Sequence, residues 1–414
     1  MKITIIGAGI IGLCSAYYLQ EAGYEIEIID KSDLSDGCSY GNAGMITPSH
    51  FIPLAAPGVI AKGIRWMFDA KSPFYVKPRM SLELAQWLWQ FYRSCTKAKA
   101  MQAAPVLRDL NVFSKLCYQE LAKNPELDFN FREEGILMLF KNKKAQKAEI
   151  ESAELANKLG VDAQVLEHAE LQRYEKNLKL DALGGVFYPG DAHLYPNQLM
   201  AQLIQYLRRK GVQFKGQTTV INFNSEADRV TAIQTETGQM FPVDNLLIAG
   251  GSWTPKILRT LGVKLLLQDG KGYSVTLKNP VLQPSVPSIL AEAKVAVTPM
   301  GNDLRIGGTL EISNLSPRIN PKRVQGILES VPLYYPELKV DTPKEDKIWY
   351  GFRPCTPDGL PYIGKIKSYK NLTIATGHAM LGLSLGPVTG KLVAETYQGK
   401  KPSIDSPLFD PHRF

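Results

Sequence analysis

KITIIGAGIIG, residues 2 to 12, is the stretch from which the fold is read. Lys2 to Ile6 alternate too little for a half-exposed strand and read as a buried parallel one. The turn G-A-G-I-I-G follows, and after it a helix predicted to run to about Gln20. Gly7, Gly9 and Gly12 have the spacing at which the first glycine permits a tight turn, the second lets a pyrophosphate approach, and the third lets helix and strand pack. The helix start, with Ile10 and Ile11, then faces the phosphates. A second strand, EIEIID, completes a β-α-β unit and ends at Asp30, about 20 residues on, where a carboxylate accepts from a ribose hydroxyl and Lys31 is its neighbour. Three glycines alone are a weak signal. Placed after a buried strand, before a helix and with Asp30 at that distance, they predict a bound dinucleotide, whereas a turn made only for packing leaves Asp30 unexplained.

Moving outward, residues 48–121 read as helical and aromatic, broken by Pro53, Pro57, Pro73 and Pro78. GILMLFK from Gly135 reads as a strand, and the stretch with Glu151 to Leu159 as an amphipathic helix. A helix is expected over Asn197 to Arg209 with Asn197 as cap, then three or four strands ending in DNLLIAGGSW. Strands dominate from Val263 to Ile306, a helix covers Pro321 to Ser330, and the last helix runs to about Tyr397. The strand pair near Val220 and the strand leading to Ala249, Gly250 and Trp253 look like a second contact with the same dinucleotide. That return favours FAD over NAD.

Composition, 44% hydrophobic and 21% charged, is that of a globular protein, and 414 residues suggest two to three domains. The five cysteines are scattered, with no C-x-x-C pair and no histidine at zinc-ligand spacing, so no metal site and a reducing cytoplasmic setting are expected. The N-terminus lacks a cleavage-site pattern, and no apolar run is long enough to span a bilayer. Most of the net charge of +8 is local. Between His50 and Ala100, Lys62, Arg65, Lys71, Lys77, Arg79, Arg93, Lys97 and Lys99 face only Asp69 and Glu83, among Trp66, Trp87, Trp89 and Phe68. Such a mixture suits peripheral contact with an anionic membrane; equally, it suits a helical subdomain with its aromatics packed inward. No recognition motif points to nucleic acid.

GAGIIG with Asp30, CSYGNAGMITPSH, PLAAPGV, IRWMF, KGYSV, LRIGGTLE, GFRPCTPDGLPYIG and GHAMLGLSLGPVTG together give a more specific signal. Across essentially its whole length the chain resembles the D-amino acid oxidase and glycine oxidase family, and within it the FAD-dependent D-amino acid dehydrogenases. The resemblance implies an α/β FAD-binding domain, Rossmann-like and of glutathione-reductase type, from residues 1–50, 190–255 and 345–414. It also implies an α+β substrate domain with a large antiparallel sheet, from 51–189 and 256–344. Ser39, Asn42, Gly44 and Met45 are implied to approach the flavin. So is the segment Met380, Leu381, Gly382, Leu383 and Ser384, which precedes a helix whose positive end stabilises a reduced flavin.

Arg353 sits in a turn-rich, largely apolar segment and cannot be neutralised by losing its proton, so it needs water or an anion. The resemblance implies that it holds the substrate carboxylate; an ion pair with Asp358 is the plain alternative. Tyr273 is a candidate for the carboxylate or amine, or else packs at a domain edge. His50 is a candidate neighbour of the substrate amine, while His193 and His378 read as structural. Glycine-oxidase relatives carry a second substrate tyrosine where Val295 stands here, which points to the dehydrogenase branch. Cys355 does not match the attachment cysteine of sarcosine-oxidase relatives, so FAD is expected to be non-covalent. The implied reaction is oxidative deamination of a D-amino acid, with electrons passed to a quinone or another acceptor that is not oxygen. A cyclic D-imino acid dehydrogenase, a glycine or sarcosine oxidase using oxygen, and a flavin-binding subunit without turnover are the alternatives.

Overall fold

In the computed structural model the described residues are 1–414 apart from Phe68 and Ala70, with the side chain of Lys62 also excluded. Phe68 and the Lys62 side chain, both counted in the basic aromatic window, therefore lie outside the description. The strand Lys2–Ile6 is the centre of a six-stranded sheet in the order Tyr362–Lys365, Leu372–Thr376, Asn245–Ile248, Lys2–Ile6, Glu25–Ile29, Gln213–Lys215. All pairings are parallel except that of the edge strand Tyr362–Lys365. Such strands are covered on both faces, which is why KITII and EIEII are almost wholly buried. The helix Ile10–Glu21 packs on the C-terminal helix Gly386–Gln398. Gly7, at φ +111°, and Gly12 are sterically required here: a Cβ on Gly7 would stand 2.5 Å from the Ala249 carbonyl oxygen, and one on Gly12 1.9 Å from that of Gly7.

A nine-stranded, mainly antiparallel sheet forms the second layer. Its order is Ile348–Cys355, Gln268–Leu277, Asp303–Ser313, Val295–Met300, Ser288–Leu290, Ile136–Phe140, Gly184–Tyr188, Gln164–Glu167, with Phe74–Val76 added beside Asp303–Ser313. The strand Ile348–Cys355 lies in a segment that sequence assigns to the cofactor-binding part, yet its hydrogen bonds make it the edge of this large sheet. Helix Pro321–Tyr334 covers one face, burying Val324, Ile327, Leu328 and Val331 against Val275, Leu304 and Ile306. A three-stranded sheet, Val220–Glu226, Arg229–Thr235 and Met240–Pro242, and a short ladder of Met45–Ile46 with Ala192–His193 complete the strands among the described residues.

One expected cap is corrected. The helix begins at Pro196 with Tyr195 as N-cap and no side-chain cap bond. Asn197 instead uses its Oδ1 to accept from Arg305 Nη2 at 2.9 Å. Proline at the first helical position, which needs no N–H acceptor, makes a side-chain cap dispensable.

Candidate active site

A cavity of about 1230 Å3 opens beside the Gly7 turn and is lined by residues of both large sheets. This exceeds the roughly 300–1,000 Å3 of ordinary small-molecule sites, as a dinucleotide plus substrate requires. At one end stand Gly7, Gly9, Ile10, Ile11, Asp30, Lys31, Val220, Ala249, Gly250 and Trp253. The Ile10 N–H donates to Ser39 Oγ at 3.0 Å, while the Ile11 and Gly12 N–H groups meet no acceptor among the described residues. Helix N-termini with free N–H groups are anion sites. Asp30 is held more firmly than sequence suggested. Its Oδ2 accepts from the Ala8 N–H and its Oδ1 from the Ser32 N–H and hydroxyl, each at 2.7 Å. The carboxylate thus ties the turn to the second strand, and Asp30 lines the cavity. Lys31 Nζ lies 3.5 Å from the centroid of the Trp253 ring. Burial lowers its pKa, against the pull of Asp30.

Asn42, Met45, His50, Gly351, Arg353 and residues 378–384 also line the cavity, and Ser39 lines it beside the Ile10 N–H. The N–H groups of Gly382, Leu383 and Ser384 find no acceptor among the described residues, so the segment before helix Gly386–Gln398 presents a cluster of donors to the cavity. Tyr118 fixes this segment by donating to the Leu383 carbonyl at 2.7 Å, and the Ser384 hydroxyl donates to Asn111 at 2.8 Å. Of the residues predicted from sequence, Gly12 and Gly44 are absent from the lining. Gly44, at φ +76°, faces the Leu194 carbonyl instead, where a Cβ would stand 2.3 Å away.

Arg353 answers the question posed by its setting. Its guanidinium lies across Gly272 of the neighbouring strand, and Nη1 donates to the Thr309 carbonyl at 2.6 Å. Burial lowers its pKa, and no acid lies within ion-pair reach among the described residues. The alternative pairing is corrected: Asp358 receives a two-pronged contact from Arg413, Nε at 2.7 Å and Nη2 at 2.9 Å. Thr309 is itself unusual, a β-branched residue at φ +66°. It sits in a bulge, where Lys271 pairs with Glu311 but Tyr273 pairs with Gly308. That bulge brings its carbonyl to the guanidinium.

Tyr273 is a second correction. Along strand Gln268–Leu277, Gly270 and Gly272 share the face of Arg353, while alternation puts Lys271, Tyr273 and Val275 on the other. The Tyr273 side chain is 1% exposed in the core beneath helix Pro321–Tyr334, and its hydroxyl accepts from the Asn320 N–H at 3.2 Å. Although the residue touches the cavity, its phenol does not share the face of Arg353. Strand alternation likewise buries Val295 in that core and leaves Ala296 and Lys294 at the cavity. No tyrosine from this strand replaces the absent second one.

His50 lines the cavity, and burial holds its pKa down to about 4, with Lys294 adding to the effect. Its Nδ1 is 2.9 Å from Ser49 Oγ. Two other histidines hold structure. His193 exchanges backbone hydrogen bonds with Arg132 at 2.8 and 2.9 Å, and His378 Nε2 meets Thr389 Oγ1 at 2.9 Å. Gly272, Thr309, Lys294 and Ala296 were not singled out from sequence, because each owes its place to cross-strand register rather than to a local pattern.

Comparison with known proteins places the family and the fold. The family described as FAD dependent oxidoreductase (DAO) matches residues 2–396. A D-amino acid dehydrogenase of Granulibacter bethesdensis is 33% identical over 421 residues, covering 98% of this chain and 97% of its own. Glycine oxidase from Geobacillus kaustophilus has the same fold, with a TM-score of 0.76 at 23% identity over 100% of this chain and 98% of the other. So does L-alpha-glycerophosphate oxidase from Mycoplasma pneumoniae, solved with FAD bound, with a TM-score of 0.69 at 16% identity and 97% of each chain covered. The chain therefore belongs to the DAO family of FAD-dependent oxidoreductases, and FAD is the cofactor that its dinucleotide turn and its glycine-rich donor segment fit.

Proposed function

We propose that the chain is a D-amino acid dehydrogenase that converts its substrate to a 2-oxo acid and ammonia and passes the electrons to a quinone or another acceptor that is not oxygen. The observation that carries the reading is Arg353, a half-buried cation at the cavity with a carbonyl partner and no carboxylate at ion-pair distance among the described residues. A planar guanidinium matches a carboxylate with two parallel bonds, so an amino acid supplies the missing anion and is fixed in orientation by it. FAD, when bound, would supply the hydride acceptor for the α-hydrogen. The free Ile11 N–H would help to hold its pyrophosphate, and those of Gly382, Leu383 and Ser384 would donate to its ring system. Cys355 is fully buried in the core beside Trp87, which supports non-covalent attachment. The D preference and the non-oxygen acceptor rest on the dehydrogenase relative and on the absence of a second cavity tyrosine in strand Val295–Met300.

The chain division expected from sequence is kept in this reading except for strand Ile348–Cys355, which pairs with the large antiparallel sheet. No described helix is long and apolar enough to cross a membrane. Peripheral contact is supported by helix Leu82–Ser94, where Trp89 is 60% and Tyr92 62% exposed beside the exposed Arg93 and Lys97. Trp87 and Phe91 of the same helix pack inward, so the two readings of this window each describe one face.

The test is anaerobic mixing of the FAD-loaded protein with D- and L-alanine, D- and L-proline, glycine and sarcosine, following loss of flavin colour. D-forms should bleach it, and Arg353→Ala should abolish bleaching while the protein stays yellow. Bleaching by L-forms or sarcosine alone overturns the substrate assignment. Stoichiometric peroxide under air overturns the acceptor.

A further inference from the structure

Asp191 is an expensive residue with no role so far. Its side chain is 0% exposed, and among the described residues no cation lies at ion-pair distance. A carboxylate removed from water without a counter-charge costs several kcal/mol or is neutralised. Here it meets one residue twice: Oδ1 accepts from the Ser49 N–H at 2.9 Å, and Oδ2 from the Ser49 hydroxyl at 2.5 Å. The same hydroxyl oxygen lies 2.9 Å from His50 Nδ1. The ladder of Met45–Ile46 with Ala192–His193 brings the two segments together. The loop is then fixed, since the Thr47 N–H donates to Ser384 Oγ at 3.0 Å, and Ser384 belongs to the donor segment at the cavity.

Proton counting gives this chain a direction. A serine hydroxyl has one proton, and with Asp191 ionised that proton goes to Oδ2. His50 Nδ1 must then carry hydrogen and donate to Ser49, which leaves Nε2 as a bare lone pair. Nε2 makes no hydrogen bond to any described residue, and His50 lines the cavity that holds Arg353.

We propose that Asp191, Ser49 and His50 form a relay that takes a proton from the substrate ammonium group before the α-hydrogen leaves. The inference rests on the amino acid reading of Arg353. His50 Nε2 accepts a proton from the ammonium nitrogen, Nδ1 gives its own to Ser49 Oγ, and Ser49 gives its own to Asp191 Oδ2. Three bonds to hydrogen break and three form. The net change converts an ammonium and a carboxylate into a neutral amine and a carboxylic acid, so two charges disappear from a buried site. The imidazole begins and ends neutral, in opposite tautomers. That matters because burial and Lys294 oppose an imidazolium, and a histidine acting alone would have to become one. Asp191 suits the terminal role: burial pushes its carboxyl up to about 7, against the hydrogen bonds from Ser49 and the charge of Lys115. Tyr188 also faces Asp191, and Glu149 faces Lys294. Below that range Asp191 holds a proton already, the relay rests with Nε2 protonated, and the amine keeps its charge.

His50 touches the substrate in this scheme, and Ser49 and Asp191 act through it. Asp191→Asn is the discriminating variant, because its amide donates to Ser49 Oγ and so turns the serine proton toward Nδ1. The first readout is 15N NMR of histidine-labelled, FAD-loaded protein at pH 8.5, with the His50 signals assigned by their loss in His50→Gln. Nδ1–H is expected in the parent and Nε2–H in Asp191→Asn. The second is the rate of anaerobic flavin bleaching by D-alanine against pH. The parent should show an acid limb near 7, whereas Asp191→Asn and Ser49→Ala should be slowed about 100-fold at pH 8 and recover only as the free amine itself loses its proton. An unchanged tautomer together with an unchanged rate and limb in Asp191→Asn overturns the relay while leaving the substrate reading intact. Parent protein that no D-amino acid bleaches overturns both.

Discussion

Gly272→Ala tests the placement of the substrate cation without touching the cation itself. A Cβ built on Gly272 would lie 2.1 Å from Arg353 Nη1, 2.3 Å from Nη2 and 2.4 Å from Cζ. Carbon and nitrogen tolerate about 3.5 Å, so the guanidinium must shift by more than 1 Å. Nη1 is tied to the Thr309 carbonyl at 2.6 Å and the strand beneath is paired on both sides, so the side chain moves and the backbone stays. Each charge-assisted bond to a carboxylate contributes about 1.5–3 kcal/mol. Losing the alignment of both costs about 3–6 kcal/mol, or about 10^2- to 10^4-fold in kcat/KM at 1.36 kcal/mol per decade. Gly272 has no positive φ, so alanine adds no backbone strain and the fold should survive. The assay is rapid anaerobic mixing with D-alanine over a concentration series, with flavin content measured on the same sample. Full FAD occupancy with the stated loss is expected. A variant within threefold of the parent would refute the claim that this guanidinium, in this place, grips the substrate.

Arg413→Ala removes the two-pronged partner of Asp358 and its stacking at 3.9 Å on Tyr362. Breaking such a poorly exposed pair should destabilise by about 3 kcal/mol in urea unfolding, and it should lower kcat/KM by loosening the turn after Arg353; an unchanged urea midpoint would contradict the clamp. His378, buried against Thr389, has its pKa held down to about 3 by desolvation. The unfolded chain therefore takes up its proton first, near 6.5, and the stability this provides is complete above that value and lost as pH falls. His378→Gln should escape about 2 kcal/mol of the parent's loss between pH 7.5 and pH 5.0, and equal losses would refute the assignment. Thr309→Gly should keep kcat/KM, since the bond to Arg353 comes from the main chain. Relief of a strained φ, roughly 1–3 kcal/mol, should offset the extra freedom of glycine, so a clearly lower urea midpoint would show that the φ is not strained.

Local chemistry was legible in the sequence wherever one residue type alone answers a need. Gly7 and Gly12 admit no Cβ, a helix start supplies anion donors, and Arg353 keeps its charge in an apolar turn, so all three could be named before any contact was known. Tyr273 was misplaced for a different reason. A strand sends alternate side chains to opposite faces, so its function depends on which face the cavity occupies, and that is settled by pairing with Tyr350 and Gly308, far along the chain. The bulge at Thr309 sharpens the point, because it shifts register by one residue and no pattern in LRIGGTLE announces it. The same logic separates Val295 from Ala296. Asp191 and Ser49, 142 residues apart, are further still from local reading. What singles them out is energetic: a carboxylate without a cation is retained in the interior, and the hydroxyl that satisfies it leads to the imidazole facing the cavity. A charge withdrawn from bulk water and left without an ion-pair partner among the described residues is the common physical sign of Arg353, half-buried, and Asp191, fully buried. The two are opposite in sign, one exposed to the cavity directly and one through Ser49 and His50. An amino acid, with its carboxylate and ammonium, is the ligand whose two charges answer both.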